Sequence, residues 1–229
     1  MTAPQFDAYD KSYGDVVQNS IDFSGLPHAF FMSAKADLLS DVIAGHFGPN
    51  RKPDALDVGC GVGAFHPYVR GMFGRLCGVD VSAGSIAEAR RMNPDVEYES
   101  YDACVLPYSD AEFDLTMSVC VMHHVPPAEW PRFVQELRRV TRPGGLVGVI
   151  EHNPFNPLTR LAVARCEFDR DANLLRAGAT ERLLADGGMR GVGTRFFLFL
   201  PWATPLVRNI ERRCASVPMG AQYLTIGEV

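Results

Sequence analysis

The sequence of 229 residues lacks several features that mark particular protein classes. It has no CxxC pair and no zinc-like spacing of cysteine, and its six cysteines are scattered at positions 60, 77, 104, 120, 166 and 214. No apolar run approaches the ~18–20 residues of a membrane span. The N-terminus MTAPQFDAYDKSYGD is polar where a signal peptide would be apolar. We therefore expect a cytoplasmic protein with no stable membrane insertion and no metal site.

Positive charge is also scarce, because the formal net charge is −5 at neutral pH. Basic pairs occur, but they are far apart in the sequence and are typical of solvated helix faces. This balance argues against broad binding to nucleic acid, whose recognition depends on neutralising phosphates. Apolar residues make up 47% and charged residues 21%, which is ordinary for a soluble globular domain.

Apolar segments and helical patterns alternate along the chain after residues 1–28, which we interpret as a loosely structured arm. Strands are predicted at 55–58, 75–80, 96–101, 113–121, 146–151, 194–200 and 223–226, and helices at 29–47, 63–71, 82–92, 131–141, 158–164, 180–185 and 206–215. The segment RPGG is expected to stop the helix before residue 146. Such alternation predicts an α/β fold with a doubly wound, mostly parallel sheet. The last two strands are expected to pair antiparallel at its edge.

The stretch ALDVGCGVGAF places glycines at positions 59, 61 and 63, directly after the first strand. Glycine lets the backbone turn tightly and pass close to a ligand, and in a doubly wound sheet this loop lies at the ligand-binding rim. The dinucleotide fingerprint is G-x-G-x-x-G, whereas the spacing here is G-x-G-x-G with Asp57 two residues ahead. An acid beside the loop would repel pyrophosphate and would suit a cationic ligand.

Two further acids follow predicted strands. Asp80 ends the second strand in LCGVDVS, where a carboxylate accepts hydrogen bonds from ribose hydroxyls. It is alternatively an acid that favours the helix dipole. Asp102 ends the third strand in YESYDACVLPY, where it could accept from an exocyclic adenine amine. It is alternatively an Asx-turn residue.

Taken together, these residues resemble the class I S-adenosylmethionine-dependent methyltransferases. The motifs that match are LDVGCGVG, the acid in GVDVS, the YDA step, FDLTMSVCVMHHV and LRRVTRPGGLVGVIEH. The resemblance covers residues 54–151 and implies a Rossmann-like, seven-stranded sheet whose last strand is antiparallel. Residues after 151, including EHNPFNPLTR and GAQY, also look like a small-molecule subgroup. The chain is then one domain, with a lid at 1–50, a cofactor-binding core at 51–151 and a substrate-side segment at 152–229.

The resemblance implies that S-adenosyl-L-methionine is the cofactor and assigns roles by position. Asp57 would bind the amino end of the methionyl group, and Asp80, with Val81 beside it, would hold the ribose. The adenine would meet Asp102 and Ala103. The backbone of Gly59, Cys60 and Gly61 would pass under the cofactor. Cys120 would line the side of the site that holds the sulfonium.

Acceptor-side candidates follow from the ends of the fourth and fifth strands. We predict His124 and Glu151 as substrate-facing catalytic residues, because a general base is needed if the acceptor is a hydroxyl or ammonium. The alternative is that His123 and His124 are one packed and one hydrogen-bonded structural histidine. The predicted substrate-binding residues are Tyr9, Tyr13, His28, His123, His152 and Asn153, with His28 alternatively an ordinary exposed residue.

The leading functional hypothesis is methyl transfer to an O, N or C nucleophile of a small molecule by a monomer or homodimer. A second hypothesis keeps the cofactor but releases methylthioadenosine, through cyclisation or aminocarboxypropyl transfer. A non-catalytic cofactor-binding module and a nicotinamide oxidoreductase are further alternatives. The apolar run Phe196–Leu200 with Trp202 is either a buried strand or a cap over an apolar substrate.

Overall fold

The computed structural model describes residues 13–169, 171–202 and 204–229, which build one sheet covered by helices on both faces. Its strands are β1 (Ala55–Val58), β2 (Leu76–Asp80), β3 (Glu97–Ser100), β4 (Phe113–Val119), β5 (Thr141–His152), β6 (Arg190–Phe197) and β7 (Gln222–Glu228). Its α-helices are α1 (Tyr13–Ile21), α2 (His28–Phe47), α3 (His66–Val69), α4 (Ala83–Met92), α5 (Trp130–Val140), α6 (Pro157–Arg165), α7 (Ala177–Asp186) and α8 (Pro205–Cys214).

The seven strands lie in the order β3-β2-β1-β4-β5-β7-β6. Strands β1 to β5 pair in parallel with their neighbours. Strand β7 lies between β5 and β6 and is antiparallel to both. This confirms the predicted doubly wound sheet with an antiparallel last strand, and it shows that β6, not β7, forms the edge.

The central strands divide the core into two layers because their side chains alternate between the faces of the sheet. On one face, Leu115 and Met117 pack in a cluster with Leu39 of α2. On the other face, Val149 packs in a cluster with Leu137 of α5. All three leucines are almost fully buried, and each such side chain stabilises the fold by about 1.5–3 kcal/mol.

Local signals set several element boundaries. Helix α4 begins as predicted, since the Ser82 side chain accepts a hydrogen bond from the Ser85 amide at 3.0 Å and thereby caps the helix. The helix predicted at 63–71 is shorter, with α3 followed by a 3₁₀ turn at Arg70–Met72. The arm interpretation is wrong from residue 13 onward, because α1 and the 3₁₀ turn Asp22–Ser24 occupy most of residues 13–28.

Helix α5 ends at Val140, just before RPGG as expected, but the strand begins at Thr141 and not after the RPGG segment. This segment lies inside β5, where residues 142–145 stand opposite Asp114 of β4 alone. Arg142 donates a hydrogen bond to the Asp114 carboxylate at 2.9 Å and so fixes the irregularity. The segment is therefore a bulge between paired residues rather than a turn that precedes the strand. None of the helices in the described part of the chain combines the length and apolar character that crossing a bilayer requires.

Candidate active site

A cavity of about 790 Å³ opens at the carboxyl ends of β1, β2, β4 and β5. These ends meet at one rim because the four strands run parallel. Side chains from α1, α2 and α6 and from residues 198–201 line the opposite side. The volume falls in the range of about 300–1,000 Å³ that is typical of small-molecule sites.

The glycine loop forms the floor of the cavity beside β1. Gly59 has φ +82°, and a Cβ there would lie 2.5 Å from a methyl group of Val121. Gly61 has φ +53°, but a Cβ there would meet nothing within 4 Å, and the residue lines the cavity. The backbone thus turns at both glycines for different reasons, and at Gly61 it leaves open space that a ligand can approach.

Asp57 is 2% exposed and lines the cavity. Its Oδ2 lies 3.1 Å from Nε2 of His66, whose other ring nitrogen contacts the Tyr98 hydroxyl. Its Oδ1 is buried and has no hydrogen-bond partner among the described residues. A buried carboxylate oxygen without a partner is unfavourable, so this atom suits a cationic or hydrogen-bond-donating ligand. His66 was not singled out from the sequence, because only the fold brings it against Asp57.

Asp80 joins the loop to the next helix. Its carboxylate accepts hydrogen bonds from the Gly61 amide at 2.8 Å and from the Ser82 amide at 2.9 Å. Burial raises the pKa of Asp80 above its usual value, although these amides oppose the shift. The side chain lines the cavity, as does Val81 after it. The residue therefore fastens the loop and remains placed to meet a ligand.

Asp102 and Ala103 differ in their placement. Asp102 is exposed, and its Oδ1 accepts a hydrogen bond from the Cys104 amide at 2.9 Å, which is the Asx-turn alternative. Asp102 is not among the residues that line the cavity, whereas Tyr101, Ala103 and Cys104 are. Ala103 has φ +64°, so the backbone turns sharply at the point where it meets the cavity.

Cys120 lies where β4 ends, with φ +58°, and lines the cavity. Its Sγ is 3.7 Å from Nε2 of Gln222. Burial disfavours the thiolate, but the charges of Lys35 and His152 outweigh burial and hold the pKa of Cys120 below its usual value. Lys35 of α2 is itself 5% exposed and lines the cavity, so it brings a buried ammonium to this side.

The acceptor-side histidines form one cluster. His123 is 1% exposed, and its Nδ1 lies 2.6 Å from Oε2 of Glu151. Oδ1 of Asp169 is 3.4 Å from Nε2 of His123 and 3.2 Å from Nε2 of His124. Burial lowers the pKa of His123, but Glu151 and Asp169 outweigh it and raise that pKa well above its usual value. Burial dominates at His124 and lowers its pKa. The rings of His123 and His124 and the Asp169 carboxylate therefore share one wall of the cavity.

Glu151 does not face the cavity as expected. It is fully buried, lies behind His123 and is not among the lining residues, whereas the next residue, His152, is. Successive residues of a strand point to opposite faces, and β5 extends through both residues, so only one of the pair reaches the cavity. Glu151 therefore contacts His123 rather than the cavity, and the expectation that it faces substrate is wrong.

Asn153 also has a structural placement. It is 1% exposed and donates hydrogen bonds to the carbonyls of Pro218 (3.1 Å) and Gly220 (2.8 Å). It is not among the cavity-lining residues, so the expectation that it binds substrate is wrong. Its side chain instead ties the start of the substrate-side segment to the chain before β7.

The lid side of the cavity is mainly apolar. His28 begins α2, lines the cavity and is half-buried, which favours the binding alternative over an ordinary exposed residue. Burial, with Lys35 beside it, lowers the pKa of His28 to about 4. Phe199 and Leu200 line the cavity, whereas Trp202 is 61% exposed and lies outside the lining. Tyr9 and the side chain of Tyr13 lie outside the described residues, so their contact with substrate stays a prediction.

Two lining residues were missed from the sequence. Lys35 shares the helical spacing of the apolar face of α2, and a lysine on such a face was the available signal. Asp169 ends the 3₁₀ turn Glu167–Asp169, and no local pattern distinguishes it from other surface acids. Its importance depends on the folding of the substrate-side segment over the end of β4.

A profile of the family described as "Methyltransferase domain" matches residues 56–149, the stretch that contains the glycine loop, Asp80 and the two adjacent histidines. Residues 56–149 of the chain therefore resemble a methyltransferase domain, and this match covers less than half of the chain. The family resemblance deduced from the motifs is confirmed. This methyltransferase domain also argues against the nicotinamide oxidoreductase hypothesis.

Named relatives share this domain. Norajmaline N-methyltransferase of Rauvolfia serpentina is 34% identical over 112 residues, which cover 45% of this chain and 38% of the relative. Tocopherol O-methyltransferase of Arabidopsis thaliana is 33% identical over 102 residues, covering 42% of this chain and 29% of the relative. The match therefore spans well under half the length of these curated relatives.

Solved structures share the overall fold. A putative methyltransferase in complex with the Trm112 activator of Haloferax volcanii has a TM-score of 0.66 at 18% identity, covering 97% of this chain and 96% of that one. A methyltransferase dependent on S-adenosylmethionine from Archaeoglobus fulgidus has a TM-score of 0.62 at 15% identity, covering 88% of this chain and 100% of that one. At these identities the likeness concerns the fold alone.

Proposed function

We propose that this chain transfers the methyl group of S-adenosyl-L-methionine to an O, N or C nucleophile of a small molecule. The observation that carries the proposal is that two chemically distinct groups of residues line one cavity. The glycine loop, Asp57 and Asp80 follow β1 and β2, and His123, His124 and His152 lie at the ends of β4 and β5. The matches to relatives named for norajmaline and tocopherol support a small-molecule acceptor.

The residues around the glycine loop fit the cofactor. Oδ1 of Asp57 is buried without a partner and would accept a hydrogen bond from the methionyl ammonium. Gly59, Cys60 and Gly61 would pass their backbone under the cofactor, and Asp80 would hold the ribose. The adenine would lie against Ala103 and its neighbours in the lining, with Asp102 at the adjoining turn. When bound, the cofactor supplies a methyl group on a positively charged sulfur.

The residues at the ends of β4 and β5 would orient and deprotonate the acceptor. His124 lines the cavity, and its Nε2 lies at an ion-pair distance of 3.2 Å from Oδ1 of Asp169. The ring would take the proton of the acceptor heteroatom as that atom bonds to the methyl carbon, while the carbon–sulfur bond breaks and its electrons stay on sulfur. Alignment in a cavity that excludes water supplies most of the rate, and good positioning contributes about 7–11 kcal/mol.

The lid would exclude water during the reaction. Helices α1 and α2 and the segment Phe199–Pro201 contribute largely apolar side chains to the lining. Opening and closing of such elements around substrate is a common gating step. We therefore assign residues 1–50 to the lid, residues 51–151 to the cofactor core and residues 152–229 to the acceptor side of one domain.

The by-product of the reaction tests this proposal. The purified chain is incubated with S-adenosylmethionine and a panel of phenol, alcohol and amine acceptors, and the nucleoside product is identified by mass spectrometry. Formation of S-adenosylhomocysteine together with a methylated acceptor supports methyl transfer. Methylthioadenosine would show the alternative chemistry, and no cofactor binding in calorimetry would overturn the proposal.

The expected partners and setting belong to the same proposal. We expect a monomer or homodimer that acts in the cytoplasm without nucleic acid. One structural neighbour occurs with the Trm112 activator, and that partner belongs to the neighbour. Size-exclusion chromatography with light scattering measures the oligomeric state, and the activity of the chain alone shows whether an activator is needed.

A further inference from the structure

We propose that His123, His152 and Asp169 bind one divalent transition-metal ion on the acceptor side of the cavity. Each residue offers a ligand atom, and the three atoms all lie within 4.8 Å of one another. They come from different parts of the fold, namely the turn after β4, the end of β5 and the turn after α6. All three residues line the cavity. A metal site was not expected from the residues alone, because no local spacing joins these positions.

The distance between Asp169 and His123 fits two ligands of one ion. Ligands about 2.0–2.1 Å from a tetrahedral metal lie roughly 3.3–3.4 Å from each other. Oδ1 of Asp169 is 3.4 Å from Nε2 of His123 and 3.2 Å from Nε2 of His124. Yet Oδ1 of Asp169 is a buried atom that makes no hydrogen bond within the described part of the chain. A metal ion would satisfy this oxygen together with Nε2 of His123 and a ring nitrogen of His152.

Neighbouring groups hold the candidate ligands in the required state. Oε2 of Glu151 lies 2.6 Å from Nδ1 of His123, so the carboxylate accepts the Nδ1 proton, and a metal ion would take the place of the proton on Nε2, which faces Asp169. Metal-binding histidines almost always donate their second nitrogen in this way. Nε2 of Gln222 lies 3.3 Å from Nδ1 of His152, and this contact orients the ring. On this proposal, the fully buried Glu151 orients the ring of His123 as a metal ligand.

The donor set selects the kind of ion. Two imidazoles and one carboxylate suit zinc, cobalt, nickel or iron(II), whereas magnesium and calcium prefer oxygen ligands. Three protein ligands leave at least one coordination position toward the cavity. On the proposed function, that position would hold an oxygen or nitrogen of the acceptor and favour its deprotonated form. The acceptor class is then a molecule with a metal-binding hydroxyl, phenol or amine.

Metal binding is tested without cofactor or acceptor. Chelator-treated protein is titrated with Co²⁺, and binding is followed by visible d–d absorption. We expect one equivalent to bind, and we expect Asp169→Asn and His152→Ala each to weaken binding by more than tenfold. Glu151→Gln should weaken it by about 10–100-fold. His46→Ala, at an exposed residue at the end of α2, is the matched control and should bind as the wild type does.

A second measurement guards against variants that fail to fold. Zn²⁺ should raise the melting temperature of the wild type and of His46→Ala, but not of a folded His152→Ala. Absence of stoichiometric Co²⁺ binding to the wild type, or equal binding by wild type and Asp169→Asn, would overturn the inference. The titration contains no S-adenosylmethionine, so this failure is distinct from failure of the proposed function, which is a lack of cofactor binding.

Discussion

The Asp80 carboxylate accepts a hydrogen bond from the backbone amide of Gly61 at 2.8 Å, so the acid after β2 holds the loop after β1. Its second oxygen accepts from the Ser82 amide at 2.9 Å. One side chain thus fixes the two backbone segments that meet at the cavity. Loss of this carboxylate should affect loop geometry as well as any direct contact with a ligand.

Asp80→Ala should weaken S-adenosylmethionine binding by about 10–100-fold, because a hydrogen bond to a charged group contributes about 1.5–3 kcal/mol. It should also lower the melting temperature, since two backbone amides lose their acceptor. Calorimetry and thermal unfolding measure the two effects. Asp186→Ala, at an exposed acid that ends α7, is the control and should change neither. An unchanged cofactor affinity in Asp80→Ala would remove Asp80 from the site.

Gly61→Val should abolish cofactor binding but have a smaller effect on the stability of the fold. The added side chain would enter the open space of the cavity, where no atom lies within 4 Å of the Cβ position, and φ of +53° is unfavourable for valine. Gly178→Val in α7 is a matched control, because its Cβ also meets nothing within 4 Å. Equilibrium binding and melting temperature are compared for both. Wild-type affinity in Gly61→Val would show that the cofactor does not approach this loop.

Gly59→Ala should destabilise the fold for a different reason. The new Cβ would lie 2.5 Å from a methyl group of Val121, and φ is +82°. Overpacking of this kind lowers the free energy of unfolding by about 1–3 kcal/mol. Val121→Ala removes the clashing methyl groups, so the double variant should recover part of the loss measured by urea denaturation. Additive losses in the double variant would contradict a steric origin.

Local sequence signals predicted the parts of the site that depend on residues close together in the sequence. The cap at Ser82, the glycine turn at Gly59 and the acid at Asp80 each follow from residues a few positions apart. The orientation of Glu151 and the role of Asp169 were not predictable in this way. They depend on which face of β5 meets the cavity and on where the turn after α6 lies, and both are set by packing of distant segments.

The bulge in β5 illustrates the same limit. A Pro-Gly-Gly sequence after a helix normally indicates a turn, and only the pairing of β5 with β4 shows that the strand begins at Thr141. Thr141 bonds both to the Leu137 carbonyl and to the Thr116 hydroxyl, at 2.7 Å each. The residue therefore ends α5 and starts the strand at once, which leaves the following bulge inside the sheet.

His28 should make the protein less stable as the pH is lowered from 6.5 to about 4. Burial, followed by the charge of Lys35, lowers the pKa of His28 from 6.5 to about 4 in the folded state. Above pH 6.5 the ring is neutral in both states. Between about pH 6.5 and 4 the unfolded chain binds a proton that the folded chain does not, so the free energy of unfolding decreases as pH falls.

His28→Gln should therefore lose less stability than the wild type between pH 6.5 and 4. Urea denaturation at a series of pH values gives the two curves. His46→Gln is the control at an exposed histidine of the same helix and should follow the wild type. Parallel curves for His28→Gln and the wild type would contradict the contribution of His28.

Lys35 supplies a buried positive charge to the cavity, and among the described residues no carboxylate forms an ion pair with it. An ammonium in such surroundings favours an anionic ligand, and the cofactor carries a carboxylate on its methionyl end. Lys35→Met removes the charge while keeping a flexible apolar stem. We expect it to retain or raise the melting temperature, because a desolvated charge is replaced by an apolar group.

The affinity of Lys35→Met should depend on the ligand. S-adenosylmethionine should bind about tenfold more weakly than to the wild type, as expected for one hydrogen bond to a charged group. Methylthioadenosine lacks the amino-acid end and should bind equally to both proteins. Calorimetry with the two ligands separates these effects, since equal losses for both would show that Lys35 shapes the cavity and does not bind the carboxylate. Unchanged affinity for both ligands would show that Lys35 does not bind the cofactor, and its charge would then be available to bind an acidic acceptor.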